Sequence, residues 1–300
     1  MLTLLRLFHT VRHLRLRQVA YQLFYRATGR LAATGAQHQA PDKHGERGTL
    51  TPLVANFHPP LPTRQTSPTT FTFLNRTVAF ATPATVDWNE PHHGKLWTYN
   101  LNYFEFLRQP TCPEGPELIA AWIAKEATHR DGWEPYPISL RLVNWLQYFR
   151  KEGKGVPPAV HASVGRQYRA LVRKIEYHLD GNHLLENLLA LRITARYLGR
   201  EKDEKRFGKM LTRLRREQYL ADGAHYERSV MYHAVLLLRW LDYYTWFPEE
   251  EATRANVGKQ LGWLEYMVTK EGRYPHFNDS TDGIAPEISV LFRYAESLGL

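Results

Sequence analysis

The sequence predicts an all-α fold of stacked helical hairpins, preceded by a loop-rich N-terminal segment that holds a short β-hairpin. Three observations predict it. From about Glu117 to Lys270, segments with apolar residues at i, i+3, i+4 and i+7 follow one another, with Pro and Gly at the joints. Asp-Gly or Gly-bearing turns recur at positions 131, 180, 222 and 272, a rhythm that suits two helices plus their turns. Strand-like patterning is confined to Phe71–Phe80, two apolar stretches around Asn75-Arg76. A helical solenoid and an incomplete α/α toroid both fit this rhythm; in the toroid the turns gather polar side chains at the mouth of one cavity.

The elements follow in order. Leu4, Leu7, Phe8, Val11 and Leu14 share one face of an amphipathic helix over Met1–Leu16, with Arg6, Arg12 and Arg15 among them. Those charges interrupt any h-region, so a cleavable signal peptide is not expected. Ala33–Pro68 is rich in Pro, Gly, Thr, Gln and His and reads as loop. Trp88–Tyr103 reads as an aromatic loop. Helices are expected over Leu118–Thr128, Ser139–Lys151, Pro158–Leu179, Leu184–Leu198, Glu201–Tyr219, Ser229–Trp246 and Glu249–Lys270. The expected division is a segment 1–100 that packs on a helical unit 101–300.

Composition bounds the function. The 300 residues are 43% hydrophobic and 13% aromatic, a globular balance. No apolar run approaches the ~20 residues that cross a bilayer, so no transmembrane segment is expected. A single cysteine excludes an intramolecular disulfide framework and a multi-cysteine zinc site. Lys and Arg number 39 against 30 Asp and Glu, a net charge of +9 that favours an anionic partner. No nucleic-acid motif and no phosphate loop stands out, and His92-His93 lacks partners at ligand spacing, so neither nucleic acid nor a metal or other cofactor is expected.

Four segments concentrate chemistry. In Gly181-Asn182-His183-Leu184-Leu185-Glu186-Asn187, His183 and Glu186 share a helix face, Asn182 reads as a cap or a ligand-facing amide, and Glu186 as a capping-box acid or a site acid. His225-Tyr226 and Tyr232-His233 pair a phenol with an imidazole, groups suited to proton transfer. In Trp133–Trp145, Arg141 and Asn144 share a face, and Arg141 suits a carboxylate or a structural ion pair. Tyr274–Ser280 is polar and turn-like. Glu186 with Glu227 is the carboxylate pair that a glycoside hydrolase would need.

Together with Leu96-Trp97-Thr98-Tyr99-Asn100-Leu101-Asn102-Tyr103, Asp222-Gly223 and Phe277-Asn278-Asp279-Ser280, these segments resemble the heparinase II/III-like polysaccharide lyases in their N-terminal helical domain. The order and spacing of the motifs over residues 1–295 carry the resemblance. Arg17–Arg26 also resembles members found near exopolysaccharide genes. The resemblance implies an incomplete α/α toroid followed by a C-terminal antiparallel β-sandwich; no β-rich segment is read within these 300 residues, so the expectation is either a fragment of a longer lyase whose sandwich is its partner domain or a stand-alone helical domain. It implies β-elimination on a uronic-acid polysaccharide: Asn182, His183 and Glu186 neutralise the uronate carboxylate, and Tyr232 moves the proton. Arg141, Trp97, Tyr99, Trp133, His233 and Asn278 are the expected substrate-binding residues, with an acidic polysaccharide as the partner. The expected enzyme is thus a carbon–oxygen lyase, weak or inactive without the sandwich. The alternative is a non-catalytic acidic-glycan-binding or exopolysaccharide-assembly protein on the same scaffold. The resemblance points to the periplasm; the lack of a visible signal leaves the cytoplasm open.

Overall fold

A computed structural model describes residues 14, 16–28, 48–51, 64–109, 112–153 and 155–300. Most of the expected helix over Met1–Leu16 and most of the loop Ala33–Pro68 lie outside them. The fold is all-α apart from one small sheet. Its elements are α1 (Leu16–Ala27), β1 (Arg64–Ser67), β2 (Thr70–Phe73), β3 (Arg76–Ala79), α2 (Lys95–Tyr103), α3 (Gly115–Ala124), α4 (Pro135–Glu152) and α5 (Pro158–Arg173). Then follow α6 (Gly181–Tyr197), α7 (Glu201–Gln218), α8 (Val230–Tyr244), α9 (Glu251–Met267) and α10 (Ile288–Ser297).

Helices alternate between an inner and an outer layer. Inner α4 packs on α6 and α6 on α8, while outer α5, α7 and α9 each pack against an inner neighbour. This is the arrangement of an incomplete α/α toroid. The inner helices are buried around most of their circumference, α4 without a break from Pro137 to Arg150. Outer α7 buries only Phe207, Gly208, Leu211, Leu214 and Gln218, one face of a strongly charged helix. Buried ion pairs cross the layers: Arg108 holds Asp242 of α8 through two bonds of 2.6 and 2.9 Å.

The expected hairpin is present. β2 and β3 pair antiparallel with Phe73 opposite Arg76, and Leu74 and Asn75 take the turn at φ 52° and 60°. The turn therefore falls one residue earlier than the Asn75-Arg76 reading. Strand β1, within the stretch expected as loop, completes a three-stranded sheet. Phe71 and Phe73 point into the same core as the helices, and Phe73 meets Trp97 edge-on at 5.3 Å.

Three expectations are corrected. Trp88–Tyr103 is not all loop: α2 forms because Trp97 and Leu101, four apart, are both fully buried, and tertiary burial outweighs the weak helix propensity of its aromatic and Asn residues. Helix α5 stops at Arg173, not Leu179. Residues 174–180 leave the helix because Glu176 turns its N–H to the Asn187 side chain, at 2.8 Å. The three Asp-Gly steps are not one repeated structure. Asp131-Gly132 lies in a 3-10 turn, Asp180-Gly181 opens a helix, and Asp222-Gly223 lies in a turn closed by the Gly223 N–H on the Leu220 carbonyl at 3.1 Å.

Candidate active site

A cavity of about 540 Å³ opens among the inner helices, the β2–β3 turn and the segment 281–286. Asn182, His183 and Tyr232 line it, together with Tyr99, Tyr103 and Tyr136. Residues fifty positions apart in the chain thus share one wall. The start of α6 places the first two. Asp180 adopts φ 63° and Gly181 φ 53°, a conformation that α6 enters directly. A Cβ on Gly181 would stand 2.9 Å from the Glu227 carboxylate and displace it, and the φ of 53° itself favours glycine here. Glu227 in turn accepts from the Asn182 backbone N–H. The cap of α6 is therefore supplied from a distance, and the Asn182 amide, which makes no side-chain hydrogen bond among the described residues, is left to the cavity.

His183 is held through its ring. Nδ1 lies 3.2 Å from Glu176, and the ring packs 4.5 Å from Tyr136. Burial pulls the imidazole pKa down, but the Glu176 hydrogen bond and the charges of Glu176, Glu186 and Glu227 outweigh it, and the net shift is upward. Glu176 is itself positioned by Asn187 at 3.0 Å, and Asn187 by Ser139 at 3.1 Å. Ser139, Asn187, Glu176 and His183 thus form one relay from the core to the cavity wall.

Tyr232 stands in the first turn of α8, whose N-cap Ser229 accepts from the Tyr232 N–H at 3.2 Å. Burial, then the charges of Asp279 and Glu227 and a hydrogen bond with Asp279, raise its phenol pKa. A lowered pKa, expected for a phenolate base, is not what this setting produces. Tyr99 also lines the cavity and bonds its hydroxyl to Glu134.

The other expected residues lie elsewhere. Glu186 does not cap α6; it is buried and bonds Arg239 at 3.1 Å, which also removes it from any acid pair with Glu227. Arg141 does not reach a substrate carboxylate. It is fully buried, bonds Gln167, the Asn102 carbonyl and the Gly132 carbonyl at 2.8–3.1 Å, and packs 4.0 Å over Trp122. Trp97 and Trp133 are core residues whose indoles donate to the Arg76 and Glu126 carbonyls, so neither offers a face to a sugar. His233 is buried against the Gln260 carbonyl and Trp263, and burial pulls it down to about 4, so it carries no charge near neutrality. Asn278 lies outside the cavity and bonds the Glu227 and Arg228 carbonyls at 3.2 and 3.0 Å.

Four further residues line or support the cavity and have no site role in the sequence reading. Arg239 lines the cavity floor and joins Glu186 to Glu105 in a buried triad; an arginine amid Ala234–Leu241 was the available signal. Tyr103 and Tyr136 are cavity tyrosines within quoted motifs. Glu176 carries no local signal, because it lies in a segment that reads as helix. Among the described residues no group of three or more His, Cys, Asp or Glu side chains could hold a metal, and no helix is long and apolar enough to cross a membrane.

Fold and site together define an incomplete α/α toroid with an amide, imidazole and phenol at its mouth. Two solved structures resemble the chain: the heparan sulfate lyase HepC from Pedobacter heparinus and a mutant of it, at 16% and 14% identity, each with a TM-score of 0.47. Each match covers 88% of this chain and 46% of that one, so the chain spans about half the length of these proteins. No protein-family model matches, and no curated protein matches.

Proposed function

We propose that the cavity binds a uronic-acid unit of an acidic polysaccharide and supports its β-elimination. The observation that carries the reading is that Asn182, His183 and Tyr232 line one cavity. The C5 proton of a uronate is weakly acidic while the neighbouring carboxylate is charged. An imidazolium held by Glu176 and the open Asn182 amide neutralise that carboxylate and stabilise the enolate that forms. The bond from C4 to the leaving oxygen then breaks, a C4–C5 double bond forms, and the leaving oxygen takes a proton. Tyr232, kept a neutral phenol by its raised pKa, suits the donor's part. The C5 proton passes to a second group, and the family resemblance implies that a further His or Tyr comes from a β-sandwich. The +9 charge steers a polyanion to the cleft.

The test is incubation with heparan sulfate, alginate and related polymers, followed by absorbance of the unsaturated uronate. Product that disappears in Tyr232→Phe, with polymer binding retained, is the expected result. Product without the double bond, or equal product from Tyr232→Phe, would overturn the reading. Binding with no product from either protein points to the non-catalytic alternative.

A further inference from the structure

A second cavity, of about 500 Å³, borders the same segment that walls the first. Residues 277–283 form that wall. Phe277 and Asn278 line the outer cavity, while Thr281, Asp282 and Gly283 line the inner one. The wall is pinned to the start of α8: Ser229 Oγ donates to the Asp279 carbonyl at 2.7 Å, and Asn278 to the Glu227 and Arg228 carbonyls. Tyr232 follows three residues after Ser229, so both cavities are built on one helix start.

The outer cavity combines an aromatic floor with a cation. Trp263 is half-buried, its indole backed by the His233 ring at 4.5 Å, and His233 is in turn fixed by the Gln260 carbonyl at 3.0 Å. A ring held from behind presents its other side at little entropic cost. Phe277 is 53% exposed beside it. Arg228 is exposed, and its guanidinium has neither an ion pair nor a hydrogen bond among the described residues. The one carboxylate in the lining, Asp222, already accepts from the Ala224 N–H at 3.0 Å.

We propose that this outer cavity is a second saccharide subsite, where Trp263 and Phe277 stack a sugar ring and Arg228 pairs with its anionic group. The occupant is a further acidic unit of the same polysaccharide whose uronate lies in the Asn182–His183–Tyr232 cavity, so the inference rests on the reading of that cleft. The shared wall and the free cation favour a continuous anionic chain over an unrelated ligand. The unpaired guanidinium also predicts that this share of binding weakens with salt.

The experiment is calorimetry of the whole chain with size-defined heparan sulfate and alginate oligosaccharides, from disaccharide to decasaccharide. Wild type is compared with Trp263→Ala, Arg228→Gln and Arg228→Lys, with thermal melts as the control for folding. Wild-type affinity is expected to rise with length. In Trp263→Ala and Arg228→Gln the ratio of decasaccharide to disaccharide affinity falls by about fivefold or more, and Arg228→Lys restores part of it. A ratio equal to wild type in properly folded variants overturns this inference and leaves the cleft reading standing, as does a wild type that gains nothing with length. Binding of no oligosaccharide at all removes both.

Discussion

Arg17 and Asp180 form an ion pair of 3.0 Å that joins α1 to the residue before the Gly181 turn. Asp180 is not glycine yet sits at φ 63° and ψ −149°, a region that is costly for a side chain. Gln18 adds a bond of 3.0 Å to the Leu179 carbonyl, and Tyr25 bonds the Ile175 carbonyl. Helix α1 therefore clamps the turn that presents Asn182 and His183. Arg17→Ala is expected to cost about 1 kcal/mol or less in stability, since the arginine is partly exposed. It should lower turnover by more than that loss explains. In an Asp180→Gly background the strain and the pair are both gone, and Arg17→Ala should then have little effect. A double-mutant cycle read by urea unfolding and product formation checks this; additive effects would remove the clamp.

Glu176→Gln is expected to change the pH profile. The raised pKa of His183 means that its imidazolium persists above the usual value of about 6.5. A histidine raised on folding gives stability that is fully present below the unfolded pKa and lost as pH rises through the folded one. Affinity for a polyanion should fall across that same upper window. Removing the Glu176 charge should move the falling limb toward lower pH. Oligosaccharide affinity from pH 5 to 9, with NMR titration of the His183 ring, measures it. An unmoved limb would detach Glu176 from the site.

Arg141→Ala is expected to destabilise by about 3–5 kcal/mol, because it leaves Gln167 and two buried carbonyls without their donor. Arg141→Lys should recover little, since a single ammonium cannot reach three acceptors and cover Trp122. At temperatures where the variant remains folded, its affinity for short oligosaccharides should match wild type. Denaturant midpoints and calorimetry separate the two effects; a stable variant with lost affinity would restore Arg141 to the site.

The sequence carries the hairpin architecture because periodicity and Pro-Gly punctuation are local signals, and seven of the helices are legible from them. It also carries the part of the cavity wall that lies at helix starts, where Asn182, His183 and Tyr232 follow a turn. What it does not carry is which polar residue faces the cavity and which is buried. Arg141 and His233 look as chemical as His183, yet their burial depends on neighbours such as Gln167 and Gln260, distant in the chain. Glu176 shows the converse. Its segment keeps helical spacing, and only the bond from its N–H to Asn187 turns it out of α5 and toward His183.

Arg239 holds the cavity floor between two carboxylates, with Glu186 at 3.1 Å and Glu105 at 2.5 Å. Burial raises the Glu186 pKa, and Arg239 pulls it back. Arg239→Leu leaves two acids with no counter-charge and is expected to cost about 3–5 kcal/mol near neutral pH. The loss should shrink in acid. Without the arginine, Glu186 has a folded pKa above its unfolded one, so its contribution is least unfavourable below the unfolded value of about 4.3 and worsens as pH rises. Replacing Glu186 and Glu105 by Gln alongside Arg239→Leu should recover much of the stability at pH 8, because neutral amides are cheaper to bury than lone charges. Urea unfolding of the single and triple variants at pH 5 and pH 8 reads both effects. A penalty for Arg239→Leu that is the same at the two pH values would mean that the arginine acts by packing rather than by charge.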